Sequence, residues 1–375
     1  MSRSGSYAKA GVWSLVAHAT QLIGSVVLSV IVVRMLTVED LGELALGRQM
    51  AALLAVVGSL ALERTIVRFV PELAERGEPG AARRLVLSLF RMRLLAGGLV
   101  ATLAILLRAP LAALVGIQDP GVVVVAALGA IGFSVAAHLR AAANGWFDSK
   151  RVAQAAVLTV VLTFVATILA LRAGYGVLTI LGIAALAMLV GATWMWPAAM
   201  GPGGSGGAVT ERSRLVKYTV PFAAIVLMNQ LVHSQTEVFF LGRLRGPEDA
   251  AYFQYGFVLA QRLIDFLPLA LWEVSMAAFV REDTAGDRDL REVAYRYLRL
   301  TYVAILPVAA IGVVLSPALI DLLYGPKMEA SVFVAQMYFV LGALAAFGAP
   351  MGMILYAREA TGSVLRIYFL GTVLN

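Results

Sequence analysis

The chain contains no cysteine, only three histidines and few charges, with Asp, Glu, Lys and Arg making up 14% of its 375 residues. Without cysteine it can hold no disulfide, no thiolate metal site and no thiol nucleophile. It also lacks a Walker-type glycine-lysine phosphate loop and any polar stretch long enough to fold around a nucleotide. Glycines inside apolar runs, such as Gly129-Ala130-Ile131-Gly132, fit helix packing better than phosphate binding. ATP-driven transport by this chain alone is therefore excluded, and neither cofactor nor metal is expected. Ordinary soluble domains carry about 25% charged residues, so a surface this poor in charge is not built for water.

What the chain has in abundance is apolar sequence, 60% of the total. Runs of about 20 apolar residues match helices crossing a hydrocarbon layer roughly 30 Å thick. The pattern predicts membrane helices near 9–34, 43–69, 86–108, 121–144, 152–172, 176–197, 217–241, 251–280, 294–316, 329–356 and from 362 onward. The expected fold class is all-α: a polytopic membrane protein with about 11 helices present. Arg3 and Lys9 precede an apolar run too long for a signal-peptide core, so no cleavable leader is expected.

Basic residues are distributed unevenly about these helices. With the N-terminus inside, inner segments hold nineteen Lys and Arg and outer ends six. The positive-inside rule then places the N-terminus in the cytoplasm of a multi-pass protein of the inner (plasma) membrane. This asymmetry also accounts for the net charge of +7 without invoking nucleic acid.

A second regularity is an internal repeat. At an offset of 209, Gln21, Leu22 and Ser25 meet Gln230, Leu231 and Ser234, and Arg34 meets Arg243. Glu39-Asp40 falls on Glu248-Asp249, Gly47 on Gly256, Gly77 on Gly286 and Gly116 on Gly325, with no gap. Two copies of one apolar helical unit are the mark of a transporter built from paired halves. The glycine-rich stretch in 197–214 lies where the repeat restarts. We therefore expect an N-terminal lobe over 1–199 (helices 1–6), a linker over 200–214 and a C-terminal lobe over 215–375 (helices 7–11). The two lobes read as pseudo-symmetric six-helix bundles, the second incomplete, and the expectation is a fragment, or a naturally shortened homologue, of a protein with at least twelve helices. Each lobe has a long inner connection, 70–90 and 281–299, whose mixed charges predict an amphipathic surface helix.

Ionisable side chains at membrane depth cost roughly 2.5–3.5 kcal/mol each on insertion scales, so they normally face protein or water. His18, Gln21, Ser25 and Ser29 form a polar stripe on the first helix, and Asn229, His233 and Glu237 recur at i, i+4 and i+8 on its repeat partner. Arg262 and Asp265 lie one turn apart, and Arg48 and Arg64 sit towards opposite ends of the second helix. Such stripes are compatible with a hydrated cavity between lobes, but also with interhelical hydrogen bonds, an internal Arg262–Asp265 ion pair, or an arginine snorkelling to the surface. Glu237 is the hardest to explain as packing, because no basic residue stands one turn away on its helix.

The opening residues carry a more specific signal. Arg34-Met35-Leu36-Thr37-Val38-Glu39-Asp40-Leu41-Gly42, followed by Arg68-Phe69-Val70-Pro71-Glu72, Gly77 and Arg83-Arg84, resembles the polysaccharide flippases of the multidrug, oligosaccharidyl-lipid and polysaccharide exporter superfamily. The resemblance implies two six-helix bundles around a cavity and a cargo of oligosaccharide linked to a polyprenyl diphosphate, moved from the cytoplasmic to the outer leaflet. For such a cargo, depth and helical face make Arg48, Arg64 and Arg262 the candidates for the headgroup, with His18, Gln21, Asn229 and His233 for substrate hydrogen bonding. Glu237 and Asp265 are the candidates for coupling to H+ or Na+. Membrane lipids and polysaccharide-assembly proteins are the implied partners. In the second copy the first half of this turn has drifted to Arg245-Gly246-Pro247.

Three other readings stand beside it. An ion-coupled multidrug exporter of the same superfamily would prefer carboxylates and aromatics in its cavity. A membrane polysaccharide polymerase or ligase would need a sizeable outer catalytic loop, and the outer connections here run to about a dozen residues. A non-transporting scaffold would tolerate loss of Arg262.

Overall fold

Short caps and left-handed residues, more than long loops, mark the joints between helices. The computed structural model describes residues 3–202, 212–233, 236–264, 290–348 and 361–374. The helices are α1 Arg3–Met35, α2 Val38–Ser59, α3 Leu62–Glu75, α4 Pro79–Leu106, α5 Arg108–Val115, α6 Pro120–Gly145, α7 Ser149–Arg172 and α8 Val177–Met200. They continue with α9 Arg212–His233 and α10 Glu237–Leu244, α11 through 247–264, then α12 Leu290–Tyr324, α13 Ser331–Ala345 and α14 Thr361–Leu374. Single 3-10 turns occupy Pro326–Met328 and Ala346–Gly348. No strand occurs among the described residues, as the all-α expectation required. Seven described stretches are long and apolar enough to span a membrane: α2, α4, α6, α7, α8, Ala294–Tyr324 and Ser331–Gly348. The chain is a multi-pass membrane protein.

The acidic turn noted in the sequence is a pair of helix caps. Thr37 opens α2, its hydroxyl oxygen accepting from the Asp40 amide at 3.1 Å. The Glu43 carboxylate accepts from the Gln118 and Asp119 amides at 2.9 and 3.1 Å, just ahead of α6. A carboxylate at a helix start satisfies orphan N–H groups and complements the helix dipole. The turn thereby ties α2 to α6.

Several expected boundaries are corrected. The second helix does not run unbroken over 43–69. Leu60 and Ala61 adopt left-handed backbone (φ 50° and 53°) and end α2, while the Ala61 amide donates to the Ser59 hydroxyl at 3.1 Å. Non-glycine residues in this region cost roughly 1–2 kcal/mol each, a cost that packing of the next helix must offset. That helix, α3, buries Leu62, Ile66, Phe69, Val70 and Leu73 and leaves Arg64, Arg68 and Glu75 exposed. The amphipathic helix expected in 70–90 thus lies earlier, and α4 already begins at Pro79. Of the seventh helix, expected over 217–241, the described parts are α9 and α10, and residues 234–235 between them lie outside the described residues. The second connection, 281–299, is described only from Leu290, where α12 starts. The ends of the helices expected over 251–280 and 329–356 lie outside the described residues, as does most of the glycine-rich stretch.

Packing divides the chain into two compact units, Met1–Pro247 and Glu248–Asn375. In the first, α6 is central, touching α2, α3, α4, α5, α7 and α8. It can do so because its buried faces are small: Ala126, Ala127, Ala130, Gly132, Ala136, Ala141, Ala142 and Ala143. Without a hydrophobic drive between helices in lipid, such close van der Waals approach is a main source of association. α9 and α10 pack on α2, α3 and α5, which carries this unit past the glycine-rich stretch. In the second unit Ala260 and Ile264 of α11, Ile305 and Ala309 of α12 and Phe339 and Ala343 of α13 form the core.

The repeat is visible in the geometry of each unit. A Cβ on Gly47 would stand 2.7 Å from the Val122 side chain, and one on Gly256 would stand 2.6 Å from the Ser331 carbonyl; Val122 and Ser331 are themselves 209 apart. Gly116 and Gly325 share a left-handed φ, 81° and 83°. Each amide bonds the carbonyl four residues back, Ala112 and Asp321 respectively.

Candidate functional site

α3 is the element around which the described polar groups collect. Its apolar stripe seats it on α4 and α6, and that placement brings Glu63 onto Arg93 of α4. Arg93 is 2% exposed; its Nε donates to Ser134 Oγ of α6 at 2.6 Å and its Nη2 to the Glu63 carboxylate. The charge is admissible there because it is paired and hydrogen-bonded. One turn along α6, fully buried His138 faces the Val86 carbonyl through Nε2 at 3.1 Å, and its ring lies 5.2 Å from that of Phe90. Arg93 Nη1 and His138 Nδ1 are buried without a partner.

The far end of α3 carries a second cluster, open to solvent. Glu72 accepts from Arg68 Nη1 at 2.9 Å and from Arg214 Nη1 and Nη2 of α9 at 2.8 and 3.0 Å. Arg76 Nη2 lies 2.6 Å away. The bidentate Arg214 pair holds the Glu72 carboxyl below its ordinary range, with Arg68 and Arg76 adding to the effect and burial opposing it. Phe69 supports the cluster from beneath: the Arg214 guanidinium is 5.0 Å from its centroid, and Tyr218 meets it edge-on at 5.5 Å. A turn away Thr219, which donates to the Leu215 carbonyl, accepts from Thr65 at 2.7 Å. Val67, Arg68, Pro71, Glu72, Glu75, Arg76 and Arg214 line a groove of about 550 Å³.

The residues proposed from sequence are dispersed among these elements. Arg48 is exposed on α2 and Arg64 exposed on α3, and the left-handed break between them means they do not share one helix. Gln21 is half-buried on α1, and Arg262 half-buried on α11. Glu237 is half-buried on α10, and Asn229 and His233 belong to α9. The side chains of His18, Asn229 and His233, and Asp265 as a whole, lie outside the described residues. Reading the sequence passed over Arg93, His138, Glu72 and Arg214. A signal existed for the first two: Arg93 continues the buried run Leu85, Leu89 at intervals of four, and His138 lies between Ser134 and Ala142 in the same way. A polar residue at the next position of an apolar stripe is an inward-facing group.

The profile of the polysaccharide biosynthesis protein family matches residues 31–333. No curated protein matches the sequence. Among solved structures, an inward-facing multidrug resistance transporter of the MATE family, MOP superfamily, is similar with a TM-score of 0.71 at 15% identity, covering 96% of this chain and 88% of its own. The lipid II flippase MurJ in an inward closed conformation is similar with a TM-score of 0.71 at 12% identity, over 96% of this chain and 79% of its own. A MOP superfamily transporter from Pyrococcus furiosus, described as having a binding pocket of reverse polarity, gives 0.65 at 16% identity, over 97% and 84%. The chain has the fold these transporters share.

Proposed function

The chain belongs to the polysaccharide biosynthesis protein family, and from that premise we propose that it is a flippase for polyprenyl-diphosphate-linked oligosaccharide. It would carry this lipid from the cytoplasmic to the outer leaflet of the inner membrane by alternating access, with no covalent chemistry. The observation that supports this reading is a conjunction: membership in a polysaccharide-building family on a fold shared with a lipid II flippase.

In this reading the lobes are 1–199 and 215–375, joined by the linker 200–214, and the N-terminus is cytoplasmic because the basic residues fall on that side. A diphosphate in a low-dielectric cavity needs cations with directed donors, a role suited to Arg48, Arg64 and Arg262. His18, Gln21, Asn229 and His233 supply hydrogen bonds to the sugar. Glu237 and Asp265 bind the coupling ion, H+ or Na+, and polysaccharide-assembly proteins are the expected partners.

Deletion of the gene, followed by measurement of lipid-linked oligosaccharide in inverted vesicles, tests the proposal. Accumulation on the cytoplasmic face with loss of surface glycan is expected. A second reading, an ion-coupled multidrug exporter, is favoured by the equal likeness to the MATE transporter. It would prevail if the lipid-linked pool and surface glycan stayed unchanged while dye resistance fell.

A further inference from the structure

The groove beside α3 is built unlike a simple salt bridge. Three guanidiniums, on Arg68, Arg76 and Arg214, converge on the single carboxylate of Glu72. Each guanidinium carries five N–H donors in a fixed fork, so the single Glu72 carboxylate does not use up those of Arg68 and Arg76. Their side chains are 43–58% exposed, whereas Glu72 is 15% exposed. The carboxylate is thus set at the base of the groove and the cations at its rim. Glu75 is the one other acidic residue lining it. Exposed Arg64 lies one turn from Arg68, and exposed Lys217 one turn from Arg214, so the surroundings are basic. Val67, exposed to 52%, lines the same groove and gives it an apolar margin along an amphipathic helix of a membrane protein.

We propose that this groove is a docking site for a phosphate-bearing lipid headgroup, with Glu72 as the internal anion that the phosphate displaces. A phosphate presents three acceptor oxygens and more charge than a carboxylate, and the arginine fork pairs with it through parallel hydrogen bonds. Exposed carboxylate–guanidinium pairs are individually weak, so the exchange is within reach of a diphosphate. Displacement frees Arg214 from Glu72, which makes lipid arrival and loosening of α9 from α3 a single event. Val67 and the exposed Val216 and Val220 of α9 provide apolar surface for the first carbons of the chain. The inference rests on the proposed function only for the identity of the lipid; the groove itself is lined from α3 and α9.

The test is native mass spectrometry of the full chain in detergent, offered a polyprenyl diphosphate, phosphatidylcholine or inorganic pyrophosphate. The wild type is expected to retain the polyprenyl diphosphate in preference to phosphatidylcholine. The Arg68→Ala/Arg76→Ala variant, which leaves the buried face of α3 untouched, should retain it about tenfold less well. Isosteric Glu72→Gln should retain it several-fold better, because the competing anion is gone; a groove that serves only to hold α9 would not gain affinity on this change. Pyrophosphate should displace the lipid only in large excess. Unchanged retention in both variants overturns the site, and pyrophosphate competing at equal concentration overturns the lipid as its ligand. If the gene deletion shows no lipid-linked pool while Arg68→Ala/Arg76→Ala still loses polyprenyl diphosphate, the flippase reading fails and the groove stands.

Discussion

Glu72 on α3 and Arg214 on α9, 142 residues apart, share two parallel hydrogen bonds of 2.8 and 3.0 Å. Because Arg214 holds the Glu72 carboxyl below its usual value of 4.5, the folded state favours the ionised form. The stability this contributes is present in full above the unfolded pKa and is lost as pH falls through the lowered one. Thermal midpoints of the wild type in detergent should therefore decline as pH drops below 4.5. Glu72→Gln should remove that part of the decline. Equal slopes in the two proteins over this window would show that the pair contributes nothing.

The absence of cysteine makes the chain a ready background for cross-linking. Thr65 and Thr219 bring their hydroxyl oxygens within 2.7 Å, so Thr65→Cys with Thr219→Cys should form a disulfide on oxidation. If α3 and α9 separate during transport, oxidation should stop translocation of lipid-linked oligosaccharide and reduction should restore it. Full activity in the cross-linked protein would mean that this contact stays closed throughout the cycle.

Arg93 is expected to be the most sensitive single position outside the apolar core. Arg93→Ala leaves Glu63 facing the protein without its cation, and breaking a buried pair costs about 3–5 kcal/mol, here nearer 2–3 because the Glu63 side chain is partly exposed. Arg93→Met combined with Glu63→Leu should recover most of the loss, since a well-packed apolar pair often equals the ion pair it replaces. Failure of the double variant to recover in a thermal-shift assay would point to a role for the charges beyond folding.

Glycines separate into two groups. Gly256→Ala drives a Cβ to 2.6 Å from the Ser331 backbone oxygen and should cost about 1–3 kcal/mol through overpacking. Gly98→Ala, with nothing within 4 Å of the new atom and a helical backbone, should be neutral or stabilise by up to about 1 kcal/mol. Unfolding curves of the two variants in one detergent check both signs.

Class and repeat were legible because each is written in long apolar runs and in a gapless offset; helix number was not, since about 11 were expected and the described residues form fourteen. Where α6, α7 and α8 start could be read from Pro120 with Asp119, from Asp148 and from Gly176, which stand at the N-caps of these helices. The division of α2 from α3 was not legible: Leu60 and Ala61 are ordinary helix formers, and only packing of the α3 stripe sets them in left-handed backbone. For the site, single-helix stripes pointed to Arg48 and Arg64 but could not register Glu72 with Arg214. That pair depends on a contact between distant segments, for which one sequence holds no periodic signal.

The left-handed pair at Leu60–Ala61 has a mechanical meaning as well. A continuous helix carries torsion along its ladder of hydrogen bonds, so twisting one end turns the other. Here the ladder is interrupted, and a twist of the membrane-crossing rod α2 is not handed on to α3, which stays geared instead to α4 and α6 through Arg93 and its apolar stripe.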